Sequence, residues 1–302
     1  MRSGVAILLA VPGVQPREPR FFSPALDAVR SRLEPALGGY LRDRRAELAT
    51  MDASAVVLAD ELVRLVRAGG KRLRPALAYW SHLAAGGEPG EPILRVGVAL
   101  ELLHTAAIVH DDLMDRSEAR RGVPATHVWF AKAAPVGADP DAFGTAAAVL
   151  VGDLALVLSD RALRTSGFGP VELARASVWF DRTRLQMAAG QFLDVAGARD
   201  RRRVSSLKSS SYTTEGPIML GVALAGSDVG TEGSLHAFGR LVGEAFQLRD
   251  DLLDGEAPPG TDEEIDAILD RAERALDGAR LDVEAVDALV EISALLRLRR
   301  RG

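Results

Sequence analysis

Apolar residues recur at helical spacing along most of this chain, and almost no segment alternates apolar with polar residues as a half-buried strand does. Ala, Leu and Val fill the periodic segments, and Gly and Pro separate them. The pattern therefore predicts an all-α protein. The predicted helices cover about 24–48, 54–67, 73–85, 91–115, 144–165, 170–197, 202–226, 231–254, 262–278 and 283–298.

The breaks between these helices decide the predicted domain organisation. None is long enough to act as a flexible linker between domains, so a single domain is the simplest interpretation. Residues 21–302 are predicted to form this helical domain, and residues 1–20 a poorly ordered N-terminal arm. The longest segment without helical periodicity, 116–143, is predicted to be a structureless functional loop, because long loops in compact domains tend to carry function.

Charge and composition argue against several classes of function. The 302 residues carry a net charge of −5, which argues against a nucleic-acid-binding surface. The chain has no cysteine, and this excludes a disulfide, a thiolate zinc site and a cysteine nucleophile. The apolar run at 5–11 is too short for a membrane helix, which needs ~20 residues, and it makes a poor secretory signal. The prediction is a cytoplasmic protein without a membrane span.

The pattern Asp-Asp-Leu-x-Asp occurs twice, at 111–115 and at 250–254, each time at the end of an apolar helical run. Carboxylates at positions i and i+4 of a helix lie on one face and repel each other. A solvated acidic helix end would explain one such cluster, but the apolar approach and the repetition favour a site for Mg²⁺ or Mn²⁺ with substrate phosphates. The six carboxylates are those of Asp111, Asp112, Asp115, Asp250, Asp251 and Asp254.

Basic residues elsewhere in the chain suit a polyphosphate ligand. The segment 69–75, Gly-Gly-Lys-Arg-Leu-Arg-Pro, places cations where a helix can start, and helix N-termini favour anions. Arg120 and Arg121 follow the first acidic cluster, and Lys208 precedes a run of serines. Each alone would more often be a solvated surface charge, and His104 alone a buried core histidine. Together they predict a pocket with two anion sites.

These motifs resemble those of the trans-isoprenyl diphosphate synthases, or polyprenyl synthetases. The resemblance runs from about 56 to 254 and includes both acidic motifs, 101–115 and 246–254. It also includes the basic segment 69–75, Lys208-Ser209 and the pair Gly190-Gln191.

The resemblance implies an all-helical bundle around a central elongated cavity, usually a homodimer, that condenses isopentenyl diphosphate with an allylic diphosphate. It implies a magnesium cluster on the allylic diphosphate held by Asp111, Asp112, Asp115, Asp250 and Asp254, with Asp251 in support. It also implies that Arg120 and Lys208 contact that diphosphate, that Lys71, Arg74, His104 and Arg121 bind isopentenyl diphosphate, and that Gln191 and Gln247 line the reacting region.

Product length is predicted from the residues one turn before Asp111. The growing chain is expected to run beside this helix, where Ala106 and Ala107 are too small to stop it as a bulky aromatic residue would. A product of geranylgeranyl length or longer is the prediction.

The sequence departs from the family pattern after Asp254. A Gly-Lys loop and further helices are expected there, whereas this chain continues through two prolines directly into a helix. A catalytically impaired subunit of a heteromeric prenyl synthase therefore stays open as an alternative. A class I terpene cyclase is the other alternative, although such an enzyme would not need cations for a second diphosphate.

Overall fold

The computed structural model of the chain describes residues 23–200, 203–204, 206–253, 255 and 257–297, apart from the side chains of 208–210. The regular secondary structure of these residues is almost entirely helical, which confirms the predicted all-α fold. The one strand pairing among them is a short hairpin of β1 (Ala119–Arg120) and β2 (Val123–Pro124). The helices are α1 (Pro24–Met51), α2 (Val56–Arg67), α3 (Leu73–Ala84), α4 (Glu91–Met114), α5 (Thr126–Lys132), α6 (Pro140–Arg164), α7 (Pro170–Val195), a π-helix (Ser206–Glu215), α8 (Gly216–Ala225), α9 (Val229–Leu253), α10 (Thr261–Arg274) and α11 (Val283–Ala294), with a 3₁₀ turn at Ala53–Ala55.

The starts of several helices follow local capping rules. Ser23, Asp139 and Asp282 each accept a hydrogen bond from a backbone N–H in the first turn of α1, α6 and α11. Pro24 and Pro140 come directly after two of these caps, at positions where the missing N–H is not needed. The sequence therefore marks these helix starts locally, and at α1 the carboxylate of Glu291 on α11 adds to the cap by accepting hydrogen bonds from the Ser23 hydroxyl and the Ala25 N–H.

Helix α4 runs through the middle of the fold and packs on α1, α3 and, most extensively, α6. Both α4 and α6 are long and apolar enough to cross a membrane by length and hydropathy alone. Most of α4 is buried inside the fold, so packing accounts for its apolar character. Less of α6 is buried, and its exposed apolar side chains include Val149, Leu150 and Val157.

A glycine allows α4 and α6 to approach where the first acidic motif begins. A Cβ atom at Gly152 would lie 2.0 Å from Nε2 of His110, far closer than non-bonded atoms can approach. His110 precedes the first aspartate of the motif, so the absence of a side chain at Gly152 leaves room for the His110 ring between α4 and α6.

The prediction of a structureless segment at 116–143 is wrong. This segment contains the hairpin and α5, and Thr126 and Phe130 on α5 are buried. The hydroxyl of Thr126 donates to the Glu61 carboxylate on α2 at 2.7 Å. A seven-residue helix is too short for its periodicity to be recognised, and α5 depends on these tertiary contacts.

The predicted N-terminal arm, 1–20, lies outside the described residues. The single domain over 21–302 stays a prediction.

Candidate active site

The first acidic motif lies at the C-terminal end of α4, and its three carboxylates have different surroundings. Asp112 is buried, Asp111 is half-buried, and Asp115, which follows the last residue of α4, is exposed. The helix therefore points only part of the motif towards the protein interior.

The hairpin brings Arg120 back over the end of α4. Its Nε and Nη2 atoms donate to Oδ1 of Asp112 at 2.9 and 2.5 Å, and Nη2 also lies 3.5 Å from Oδ2 of Asp111. Burial raises the pKa of the Asp112 carboxyl, while the hydrogen bond and charge of Arg120 oppose this rise. An arginine thus offsets the repulsion within this motif. The repulsion between these carboxylates therefore does not by itself require a metal ion at this motif.

His104 lies two turns earlier on α4, beside the π-helix. Its Nδ1 atom is hydrogen-bonded to the hydroxyl of Tyr212. Burial, together with the positive charges of Arg74 and Arg121, lowers the pKa of His104 well below its ordinary value. The imidazole is therefore neutral at neutral pH, and the cations around it favour this state.

Arg74 contacts the same tyrosine from the side of α3. Its guanidinium carbon lies 4.0 Å from the centre of the Tyr212 ring, and Nη2 donates to the hydroxyl of Thr213 at 2.7 Å. Two of the predicted diphosphate ligands, Arg74 and His104, therefore meet at one residue of the π-helix.

The cations of the basic segment 69–75 have different surroundings. Arg72 has a left-handed backbone, φ 53°, and turns its guanidinium inward to Glu101 at 2.5 Å and Glu34 at 2.8 Å. Lys71 instead is exposed. Arg121 donates to the carbonyl of Gly69, which joins the hairpin to this segment. The structure thus brings Arg74, His104, Arg120 and Arg121 into one region, whereas Lys71 lines a cavity at the second acidic motif.

The second acidic motif lies at the end of α9. Nε2 of Gln247 donates to Oδ1 of Asp251 at 2.6 Å, and both residues line a cavity of about 570 Å³ beside the π-helix. Asp250 instead lines a cavity of about 320 Å³ with Lys71 and Arg249. Asp254 lies outside the described residues, and the side chain of Lys208 is not described.

A third cavity, of about 360 Å³, lies at the first motif. It is lined by Asp111, Ala106, Ala107 and Gln191, with apolar side chains of α6 and α7. Among the described residues that line these three cavities, aspartates of the two motifs do not occur together. The π-helix lies between α4 and α9, the two helices that carry the acidic motifs. Tyr212 contacts α4, and the Thr214 hydroxyl donates to the carbonyl of Gly239 on α9.

The donor set suits magnesium in its chemistry. Among the described residues, no three carboxylate or imidazole groups converge on a metal position. Mg²⁺ does not require such a cluster, because it is usually held by one or two carboxylates together with substrate phosphates and water. Asp111 and Asp250 both offer oxygen donors at cavity walls.

The comparison with known families decides the assignment. Residues 56–265 match the family described as Polyprenyl synthetase. The chain belongs to the polyprenyl synthetase family. Among curated members, it is 31% identical to the geranylgeranyl diphosphate synthase of Methanosarcina mazei, over 72% of this chain and 66% of that protein. It is also 31% identical to the short chain isoprenyl diphosphate synthase of Methanothermobacter thermautotrophicus, over 71% and 63%.

These alignments span a little under two thirds of the curated polyprenyl synthetase relatives. The fold likeness extends further. The geranylgeranyl pyrophosphate synthase of Corynebacterium glutamicum, solved with isoprenyl diphosphate and magnesium, superposes with a TM-score of 0.82 at 24% identity. That match covers 91% of this chain and 99% of the solved chain.

Several residues that shape this candidate site were not predicted from the sequence. Tyr212 and Thr213 were not predicted to contact His104 or Arg74, and Glu101 was not assigned a partner. The signal available was an aromatic hydroxyl inside the polar run 208–215, ahead of Gly216-Pro217. Nothing in the sequence shows which helix that run packs against.

Proposed function

We propose that this protein is a prenyltransferase that condenses isopentenyl diphosphate with an allylic diphosphate, head to tail, to give a longer all-trans prenyl diphosphate. The observation that carries the proposal is the meeting of Arg74, His104, Arg120 and Arg121 beside Asp111, in a member of the polyprenyl synthetase family. Four nitrogen-bearing groups beside a carboxylate suit two diphosphates, one of them bound through a metal ion.

The allylic diphosphate is assigned to the acidic motifs. Asp111, Asp112, Asp115, Asp250 and Asp254 would hold magnesium there, with Asp251 supporting through Gln247. When bound, magnesium supplies a positive charge that stabilises the departing diphosphate. Arg120 supplies a positive charge from the protein itself beside the allylic diphosphate, and Lys208 is assigned the same role.

Isopentenyl diphosphate is assigned to Lys71, Arg74, His104 and Arg121. These residues come from the basic segment, α4 and the hairpin, and the Arg121–Gly69 hydrogen bond joins two of these elements. The allylic C–O bond ionises, and the double bond of isopentenyl diphosphate attacks the allylic cation. Holding the two substrates side by side supplies much of the rate, because a bimolecular encounter becomes a unimolecular step.

The residues that line the site serve the remaining steps of the reaction. Apolar side chains keep water away from the carbocation, and Gln191 and Gln247 line the reacting region. The proton lost after condensation passes to the released diphosphate, so no side-chain nucleophile is needed. The cavity beside Ala106 and Ala107 takes the growing chain, which supports a product of geranylgeranyl length or longer.

A homodimer is part of this proposal. Val171, Val178, Leu185 and Phe192 follow each other at seven-residue intervals along α7, and all four are largely exposed. Such a stripe on a helix suits packing against the same stripe of a second copy. The predicted cytoplasmic location remains a prediction.

An elongation assay tests the proposal. The purified chain is incubated with magnesium, isopentenyl diphosphate and, in turn, dimethylallyl, geranyl and farnesyl diphosphate, and the products are analysed by mass spectrometry. We expect a longer prenyl diphosphate that disappears in Asp111→Asn and Asp250→Asn variants. A cyclised hydrocarbon would instead indicate a terpene cyclase, and no product would indicate an impaired subunit.

A further inference from the structure

Tyr212 on the π-helix contacts two of the predicted ligands of isopentenyl diphosphate, Arg74 on α3 and His104 on α4. Its hydroxyl is hydrogen-bonded to Nδ1 of His104, and its ring face carries the Arg74 guanidinium. Tyr212 is buried. A π-helix, as here at Ser206–Glu215, is rare and often occurs at functional sites.

Donor and acceptor counting decides which atom carries the proton in this hydrogen bond. Among the described residues, Nδ1 of His104 is the hydrogen-bond partner of the Tyr212 hydroxyl. A buried O–H group that donates to nothing is costly, so the hydroxyl donates and Nδ1 accepts. Burial raises the pKa of Tyr212 to about 12, so the phenol keeps its proton at neutral pH.

A neutral imidazole carries a single proton. When Nδ1 accepts from Tyr212, that proton must lie on Nε2. His104 also lines a small cavity together with Arg120 and Arg121. A donor at Nε2 would add to the attraction of these arginines for a phosphate oxygen, whereas a lone pair at Nε2 would repel it.

We propose that Tyr212 is a positioning residue that fixes His104 in the Nε2-protonated tautomer, so that the imidazole donates a hydrogen bond to the diphosphate of isopentenyl diphosphate. This inference rests on the proposed function for the identity of the ligand. The tautomer itself is a property of the free protein.

Replacement of Tyr212 by phenylalanine separates the two contacts of the residue. The Tyr212→Phe variant keeps the ring face under Arg74 and loses only the hydroxyl. Tyr40 offers a matched control, because its hydroxyl is also buried and donates to the carbonyl of Leu158, far along the chain from the site. Tyr40→Phe therefore removes an equivalent hydrogen bond without touching His104.

Nitrogen NMR of the histidine side chains tests the tautomer without any substrate. The His104→Gln variant assigns the signal of this ring. We expect the unmodified chain and Tyr40→Phe to show Nε2 protonated, and Tyr212→Phe to show a shift of population towards Nδ1 protonation. A proton on Nδ1 in the unmodified chain, or no change in Tyr212→Phe, would overturn the inference.

Kinetics test the consequence for substrate binding. We expect Tyr212→Phe to raise KM for isopentenyl diphosphate about tenfold with little change in kcat, as the loss of one hydrogen bond to a charged group predicts. In the His104→Gln background the same change should have no further effect, because an amide has no tautomer to fix. Additive effects of the two changes would contradict the inference.

The two arms separate failure of this inference from failure of the proposed function. If the chain proves to have no transferase activity, the NMR arm still decides the tautomer, and calorimetric titration of isopentenyl diphosphate replaces the KM measurement. Equal binding by the unmodified chain and Tyr212→Phe would then refute the positioning role.

Discussion

Arg120 donates two hydrogen bonds to Asp112 at the end of α4. Its Nε and Nη2 atoms lie 2.9 and 2.5 Å from the same carboxylate oxygen. The carboxylate is buried, whereas the arginine side chain is 41% exposed. The pair joins the hairpin to the first acidic motif and holds a buried negative charge close to the proposed leaving group.

Removal of Arg120 should leave this carboxylate unpaired. We expect Arg120→Met to lower the free energy of unfolding at pH 8 by about 1–3 kcal/mol, less than for a fully buried pair. Because the variant raises the pKa of Asp112 further, the loss should shrink as pH falls and the carboxyl becomes protonated. Urea unfolding at pH 8 and pH 4 measures both values.

A double variant controls this experiment. Arg120→Met with Asp112→Asn removes both charges and should recover most of the loss at pH 8. A loss that is equal at both pH values, or that persists in the double variant, would show that the charge pair is not its cause.

The neutral state of His104 should make stability depend on pH. Its folded pKa lies well below the unfolded value of 6.5, so only the unfolded chain takes up this proton just below pH 6.5. This contribution to stability is complete above pH 6.5 and decreases as pH falls, by up to about 1.4 kcal/mol per pH unit. We expect His104→Gln to flatten the pH profile of unfolding between pH 7 and 5.

A second histidine provides the reference for that comparison. Burial also lowers the pKa of His82, whose Nδ1 lies 3.1 Å from the carbonyl of Gly221. Its contribution has the same sign and is present in both proteins. Identical slopes for the unmodified chain and His104→Gln would mean that His104 is not buried in its neutral form.

Burial should decide the cost of breaking two ion pairs of similar length. Arg72 is 3% exposed and binds Glu101 at 2.5 Å, whereas Arg45 is 47% exposed and binds Asp60 at 2.6 Å. We expect Arg72→Met to cost about 3–5 kcal/mol of stability, because Glu101 stays buried without a partner. Arg45→Met should change the unfolding curve very little. Similar losses in both variants would refute this explanation.

Ala106 should set the length of the product. It lies in the wall of the 360 Å³ cavity that also contains Asp111. We expect Ala106→Phe to shorten the product, because an aromatic ring would fill the path of the growing chain. The same change at exposed Ala267 on α10 should leave the product unaltered. An unchanged product from Ala106→Phe would exclude this residue from control of chain length.

The α7 stripe should determine the oligomeric state. Leu185, at the middle of the stripe, is 71% exposed. We expect light scattering to show a dimer for the unmodified chain and a monomer for Leu185→Lys. In the variant, the interface between the two copies would bury two lysine charges. Val283→Lys, at an equally exposed apolar residue on α11, should remain a dimer. A dimeric Leu185→Lys protein would place the interface elsewhere.

Much of the fold is predictable from local patterns. The long helices have strong periodicity, and caps such as Ser23 and Asp282 mark their starts. Helix α5 was not predictable, because its seven residues depend on the contact of Thr126 with Glu61. The resemblance likewise names the charged residues of the site, but not their partners in the free protein.

The sequence by itself determined the helical class of this protein and its charged motifs, because periodicity, capping and charge spacing are local properties of the chain. Only the tertiary structure decided that Arg120 neutralises Asp112, that Arg72 turns inward, and that Tyr212 meets both Arg74 and His104. These contacts join residues far apart in the chain, and their energies depend on burial, which no local pattern specifies.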